Sequence, residues 1–178
     1  MRYYDYLETP QGRMLLVANG AGLSGAYFVG QKYYPRPDAS WKRDAQALRQ
    51  AKQELEEYFA GRRRKFGIAL APEGTPFQRA VWRQISRVAC GETITYAELA
   101  RRAGRPGAAR AAGTATGRNP VSVIVPCHRI VGSDGSLTGY AGGLPRQKAL
   151  LALEGGRRAT STGSRSPRRA AAGAAPSR

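Results

Sequence analysis

The sequence predicts an α+β protein: a small N-terminal antiparallel sheet with one helix, then a mostly helical C-terminal part holding a helix-turn-helix and a buried strand that carries a cysteine. Three observations lead there. Apolar runs broken by Gly and Asn turn signals fill the first thirty residues. Apolar residues recur every three or four positions over 44–60 and again after residue 75. Between these helical stretches and the end lies the β-branched run Val121-Ser122-Val123-Ile124-Val125, stopped by Pro126.

Residues 2–8 and 13–18 read as strands joined by Pro10-Gln11-Gly12, and Asn19-Gly20-Ala21-Gly22 turns into a third strand, Leu23 to Val29. Lys32 to Pro37 is a loop. Leu48, Ala51, Leu55 and Phe59 define one face of a helix from Asp44 to Ala60, ended by Gly61. Lys65 to Leu70 suggests one more strand. Ala71-Pro72-Glu73-Gly74 marks a boundary, giving domains at 1–72 and 73–156.

Thr75-Pro76-Phe77-Gln78 combines an N-cap, a proline at the first helical position and a Gln three residues on, so a capped helix starts there and runs through Val81, Trp82, Ile85 and Val88. Thr95-Tyr96-Ala97-Glu98 is a second capping box. Gly104-Arg105-Pro106-Gly107 breaks its helix, and 108–116 forms the next, a pairing that fits a helix-turn-helix. Ala, Gly and Thr dominate that second helix; it offers few side chains to read base edges but lets its backbone approach another surface closely. After the central strand, Leu137 to Gly143 is glycine-rich without the context of a phosphate loop, so it is expected to wall a pocket. Pro145 opens a last helix, Arg146 to Leu153, closed by Gly155-Gly156, and the remainder, 157–178, is expected to be a disordered basic tail.

Net charge is +17, and six arginines follow Glu154 with no acid among them; without these six, +11 remains on residues 1–156. That excess points to a polyanion, with nucleic acid the natural candidate, against a plain solubilising charge. No run approaches the roughly 18 apolar residues that span a bilayer, and the N-terminus has no apolar signal core, so a cytoplasmic protein with Cys90 and Cys127 as thiols is expected.

Chemistry is expected where the apolar run delivers Cys127 and the chain's single histidine, His128. With Glu154 they offer a thiol, a base and an orienting carboxylate. Adjacent residues on an extended chain point apart, so His128 acts through a bridging water or at a bend. The plainer alternative is a packed core thiol beside a structural histidine, and spacing alone leaves both open.

Several separate motifs carry a resemblance to a known family. Pro126-Cys127-His128-Arg129-Ile130, with Gly117-Arg118-Asn119-Pro120 before it and Thr138-Gly139-Tyr140-Ala141-Gly142-Gly143-Leu144 and Leu150-Leu151-Ala152-Leu153-Glu154 after it, resembles the methylated-DNA-protein-cysteine methyltransferases, or O6-alkylguanine-DNA alkyltransferases. The resemblance implies a monomer that needs no cofactor. It binds double-stranded DNA containing O6-alkylguanine, flips the nucleotide out and keeps the alkyl group on Cys127 in a single turnover, with O4-methylthymine as a further substrate. It also implies roles: Cys127 the nucleophile, His128 its base through water, Glu154 the group that orients His128, and Tyr96 an aid to flipping and a proton donor to the departing guanine. Arg110 fills the vacated stack, on a helix whose Ala109 and Gly113 approach DNA. Asn119 braces the turn before the strand, Tyr140 walls the base pocket, and backbone groups of Val125 to Ile130 and Ala141 read the guanine. Two departures stand out: Ala141 replaces a Ser found in some members, and Ala89-Cys90 stands where a Pro-Tyr pair is common. Some relatives hold a structural zinc, for which one histidine and two cysteines are too few, so no metal is expected. A non-catalytic sensor of alkylated DNA and a cysteine hydrolase are the competing readings.

Overall fold

A computed structural model of the chain describes residues 1–158; the tail expected at 157–178 lies outside the described residues from 159 onward. The N-terminal half is a four-stranded sheet. Strands β1 (Arg2–Thr9), β2 (Gly12–Asn19) and β3 (Gly22–Phe28) form the expected meander, with Thr9 opposite Gly12 and Asn19 opposite Gly22. Asn19 makes the second turn by accepting from the N–H groups of Ala21 and Gly22 at 2.8 and 3.2 Å. The fourth strand, β4 (Trp41–Arg43), pairs parallel to β1 and was not expected, since three residues are too few to show alternation.

Lys65 to Leu70 is not a strand. Only Leu70 bridges to Leu23, where Ala69 O and the Ala71 N–H bond the backbone of Leu23 at 2.9 and 2.8 Å. Phe66 and Ile68 instead pack against the core from the side. The close approach depends on Gly22: a Cβ there would lie 2.6 Å from Ala69 O.

Helix α1 (Arg49–Phe59) starts later than Asp44, because the Asp44 carboxylate accepts from Gln46 and Ala47 N–H and closes a separate turn first. Helix α2 (Pro76–Ser86) has the full reciprocal capping box between Thr75 and Gln78, worth about 1 kcal/mol. Trp82 on its buried face donates to Ala115 O at 2.8 Å. The second expected box is half made. Thr95 caps α3 (Tyr96–Arg102), but the Glu98 carboxylate turns outward to Arg101 and Arg102, whose charges outbid a backbone N–H. Helix α4 (Ala109–Gly117) completes the helix-turn-helix.

The largest departure is the central strand. Residues 121–130 are all buried, as the composition demands, yet they are not extended. After one bridge between Val121 and Ala26, Val123 takes φ +73° and Ile124 N–H bonds Ser122 O at 2.9 Å, a γ-turn of the rare hand. Pro126, at φ −82° and ψ 64°, makes a γ-turn of the commoner hand, with Cys127 N–H on Val125 O at 2.8 Å. A single 3-10 turn over Cys127–Arg129 follows, then β6 (Ile130–Val131), parallel to β5 (Ile94–Thr95). β-Branched residues reported burial here, not extension. The backbone groups a ladder would have paired are met by Asn119, whose amide donates to Val125 O at 2.8 Å and accepts from Val121 N–H at 2.9 Å.

Helix α5 (Leu144–Arg158) is longer than expected at both ends and runs on through Gly155 and Gly156. One apolar cluster joins the halves, from Leu16 and Phe28 through Tyr58 and Trp82 to Val123, Ile130 and Leu150. Among the described residues no helix is long and apolar enough to cross a membrane.

Candidate active site

Cys127 is set by the two γ-turns and by Asn119, and only 4% of it is exposed. Burial pushes its thiol up to about 11, against hydrogen bonds from the Asn119 side chain and from the backbone N–H groups of Cys127 and His128, which favour the anion. At neutral pH the sulfur therefore rests protonated, inside a cradle of donors suited to a thiolate. A base is required.

His128 is fully buried, and burial lowers its pKa more than the Glu154 carboxylate raises it, so the ring is neutral. Nε2 lies 2.7 Å from Glu154 Oε1. Burial alone would raise Glu154, but hydrogen bonds from His128 and Arg129 outweigh it and hold the carboxyl at about 2. An ionised carboxylate only accepts, so the ring proton sits on Nε2 and the basic lone pair on Nδ1. Nδ1 has no hydrogen-bond partner among the described residues. Neither cysteine is in a disulfide.

Two residues of this cluster had no role in the sequence reading. Arg129 forks onto Glu154, Nη2 to Oε1 at 2.8 Å and Nε to Oε2 at 3.0 Å, and donates through Nη1 to Val88 O at 2.6 Å. Tyr58, on α1, donates to Glu154 Oε1 at 2.8 Å. A charge inside the most apolar run of the chain is a signal that a buried counter-ion exists, and Arg129 was legible on that ground. Tyr58, 96 residues from Glu154, gave no such signal.

The other expected residues fall into two groups. Around the sulfur and the imidazole lie Asn119, Val125 and Ile130, all buried, and Tyr140, whose ring stands edge-on to His128 at 6.4 Å between centroids. Burial raises the Tyr140 phenol well above its ordinary value, with Cys127 adding to the effect. Its hydroxyl and Gln147 Oε1 join His128 Nδ1 as the buried side-chain polar atoms without a partner among the described residues. Gln147 also donates to the His128 carbonyl at 3.2 Å.

The second group lines a surface cleft of about 580 Å³: Tyr96 and Arg110, with Ala109, Gly113 and Ala141. Tyr96 donates to Thr138 O at 2.9 Å, and a Cβ at Gly113 would touch its ring at 3.5 Å. Arg110 is exposed. Tyr96 and Ala141 thus line this cleft, whereas Cys127 and Tyr140 are buried and are not among the residues that line it. Among the described residues no group of three His, Cys, Asp or Glu side chains is placed to hold a metal ion.

Comparison with known proteins agrees over both halves. Residues 2–72 match the family model described as the ribonuclease-like domain of 6-O-methylguanine DNA methyltransferase, and 76–156 match that of its DNA binding domain. A methylated-DNA-protein-cysteine methyltransferase of Methanosarcina acetivorans is 47% identical over 154 residues, covering 86% of this chain and 98% of that protein. The crystal structure of the O6-methylguanine methyltransferase of Mycobacterium tuberculosis superposes with a TM-score of 0.81 at 42% identity, over 88% of this chain and 94% of the other. A structure of the same organism's OGT in complex with DNA gives 0.81 at 41% identity, over 87% and 94%.

Proposed function

The chain belongs to the family of methylated-DNA-protein-cysteine methyltransferases, and from that premise we propose that it repairs double-stranded DNA by moving the O6-alkyl group of guanine, methyl or larger, irreversibly onto Cys127. O4-methylthymine is a second substrate in this reading. The observation that carries it is a buried thiol backed by a neutral histidine whose tautomer an ionised Glu154 fixes.

Because Cys127 is 4% exposed, a base inside a duplex cannot reach it. The nucleotide is flipped through the cleft between α4 and the glycine-rich wall, at about a few kcal/mol that contacts along α4 offset. Arg110 takes the vacated place in the stack, and the small residues Ala109 and Gly113 let α4 lie close to the groove. Tyr96 exchanges its bond to Thr138 O for the extruded guanine and donates a proton to it. His128 Nδ1 takes the thiol proton through a water. Sulfur attacks the alkyl carbon as the bond to O6 breaks, and the electron pair stays with the guanine, which takes the Tyr96 proton. The proton held on His128 then passes through water to the Tyr96 oxygen, so both side chains end neutral. Asn119 and the backbone N–H groups hold the developing thiolate. A thioether is not hydrolysed, so each molecule acts once.

The deciding test is the intact mass and peptide map of the protein after incubation with duplex DNA containing O6-methylguanine. One methyl on the Cys127 peptide is the expected result. A methyl on Cys90 contradicts it, lesion binding without transfer favours a sensor, and sustained ester or amide turnover favours a hydrolase.

Transfer is expected to fall as pH drops, because a protonated Nδ1 cannot accept the thiol proton. Since burial lowers His128, the midpoint of that fall lies below the ordinary 6.5. Rates on lesion duplex across a pH series measure it, and a midpoint at or above 6.5 contradicts the assignment. For Arg110→Ala, repair of duplex DNA is expected to weaken about tenfold or more, as the flipped state loses its stand-in for stacking. Reaction with free O6-benzylguanine, which needs no extrusion, is expected to be unchanged; equal losses on both substrates exclude the finger role.

A further inference from the structure

Residues 137–143, which give Thr138, Gly139 and Ala141 to the wall of the cleft and place Tyr140, buried, beside His128, have no regular secondary structure. Two neighbouring carbonyls of this wall are held by the N-terminal half or through it. Lys32 N–H donates to Ala141 O at 3.2 Å. Arg146 donates through Nη1 to Gly142 O at 3.0 Å, while its Nε bonds Gln11 O at 2.8 Å and its guanidinium lies 4.6 Å over the Phe28 ring.

The residues on either side of Lys32 are anchored as well. Gln31, 8% exposed, accepts through Oε1 from Phe28 N–H at 2.8 Å and from the Ser122 hydroxyl at 3.3 Å, so it reaches the turn that delivers the nucleophile. The Tyr33 ring lies 3.7 Å under the guanidinium of Arg118, the residue that ends α4. Three successive residues therefore touch the nucleophile turn, the substrate wall and the end of the DNA-facing helix. The wall's bond on the cleft side is Tyr96 to Thr138 O, and Tyr96 gives it up in the proposed reaction. Tyr140 is then still held by its burial and by the Gly143 N–H on its carbonyl at 3.0 Å, while Ala141 and Gly142 are held by the bonds from Lys32 and Arg146.

We propose that Lys32 and Arg146 are positioning residues that limit how far the 137–143 wall opens and so set the size of O6 substituent the pocket accepts, small alkyl over benzylic. This inference rests on the alkyl-transfer reading above. The ligand class it bears on is the bulky aryl-methyl adduct.

The test uses the full chain and two duplexes of one sequence, carrying O6-methylguanine or O6-benzylguanine at the same place, so that DNA contacts cancel in the ratio of rate constants. Arg146→Ala is expected to raise the benzyl-to-methyl ratio about tenfold, the equivalent of one or two modest hydrogen bonds. Arg146→Lys, which keeps one donor, is expected to fall between it and the parent. Should Arg146→Ala not fold, Tyr33→Gly serves, because φ +61° suits glycine and the ring is 47% exposed; it loosens the same segment and is expected to raise the ratio about threefold. An unchanged or lowered ratio in folded variants overturns the tether while leaving alkyl transfer standing. No methyl on Cys127 of the parent protein overturns both.

Discussion

Cys127→Ser is expected to abolish alkyl transfer while leaving the fold and the binding of lesion DNA intact. Burial already pushes the thiol up to about 11, and an alcohol starts far higher before the same burial acts on it. Each unit added to the gap between nucleophile and base is worth 1.36 kcal/mol, so a gap widened by even about four units removes about four orders of magnitude in rate. Hydrolases overcome that gap with an oxyanion hole, but displacement at an alkyl carbon passes through no tetrahedral oxyanion that such a hole would stabilise. Packing changes little, because oxygen replaces one sulfur atom and still accepts from Asn119. The contacts proposed for DNA lie on α4 and around the cleft, away from the sulfur. Three measurements check this: intact mass after exposure to lesion duplex, thermal unfolding, and a lesion-DNA titration. Methyl incorporation surviving in Cys127→Ser identifies a different acceptor and ends the proposed mechanism.

What could be read from the letters divides along physical lines. Caps and turns are local, and Thr75 with Gln78, Asn19 with Gly22, and the paired helices α3 and α4 came out as their residue types dictate. The buried run 121–130 was recognisable as buried, but its shape was not, because Val and Ile signal an apolar environment whichever path the backbone takes through it. The path is decided by Asn119, which supplies the pairing that an extended strand would have sought from a neighbour. Asp44 and Glu98 were misread for one reason: each carboxylate found a local partner better than the helix terminus assumed for it. At the site, Cys127, His128 and Glu154 were legible because few residue types do such chemistry and the chain has one histidine. Tyr58 was not, since a contact spanning 96 residues leaves no mark on local pattern.

Glu154→Gln is expected to damage stability and chemistry together. In the parent protein Oε1 accepts from His128 Nε2, Tyr58 Oη and Arg129 Nη2, and Oε2 accepts from Arg129 Nε, with no part of Glu154 exposed. A glutamine keeps one accepting oxygen and points an NH₂ at donors, leaving Arg129 charged, buried and without its counter-ion. Breaking a buried pair from one side costs about 3–5 kcal/mol, so denaturant unfolding at pH 7 is expected to show a loss of that order. The deficit should shrink in acid. Glu154 is held at about 2 in the folded protein against an ordinary 4.5, so its contribution is whole above 4.5 and is lost as pH falls towards 2. Parent and variant are therefore expected to converge over that window. Transfer is expected to fall about a hundredfold to ten-thousandfold, because nothing then fixes the His128 proton on Nε2 and Nδ1 loses basicity. Tyr58→Phe separates the two effects: it removes one neutral donor from Oε1, should cost about 1 kcal/mol, and leaves the His128 tautomer set. If Glu154→Gln unfolds like the parent at pH 7 and still transfers at the parent rate, then the carboxylate neither pairs with Arg129 nor orients His128, and the thiol must lose its proton by another route.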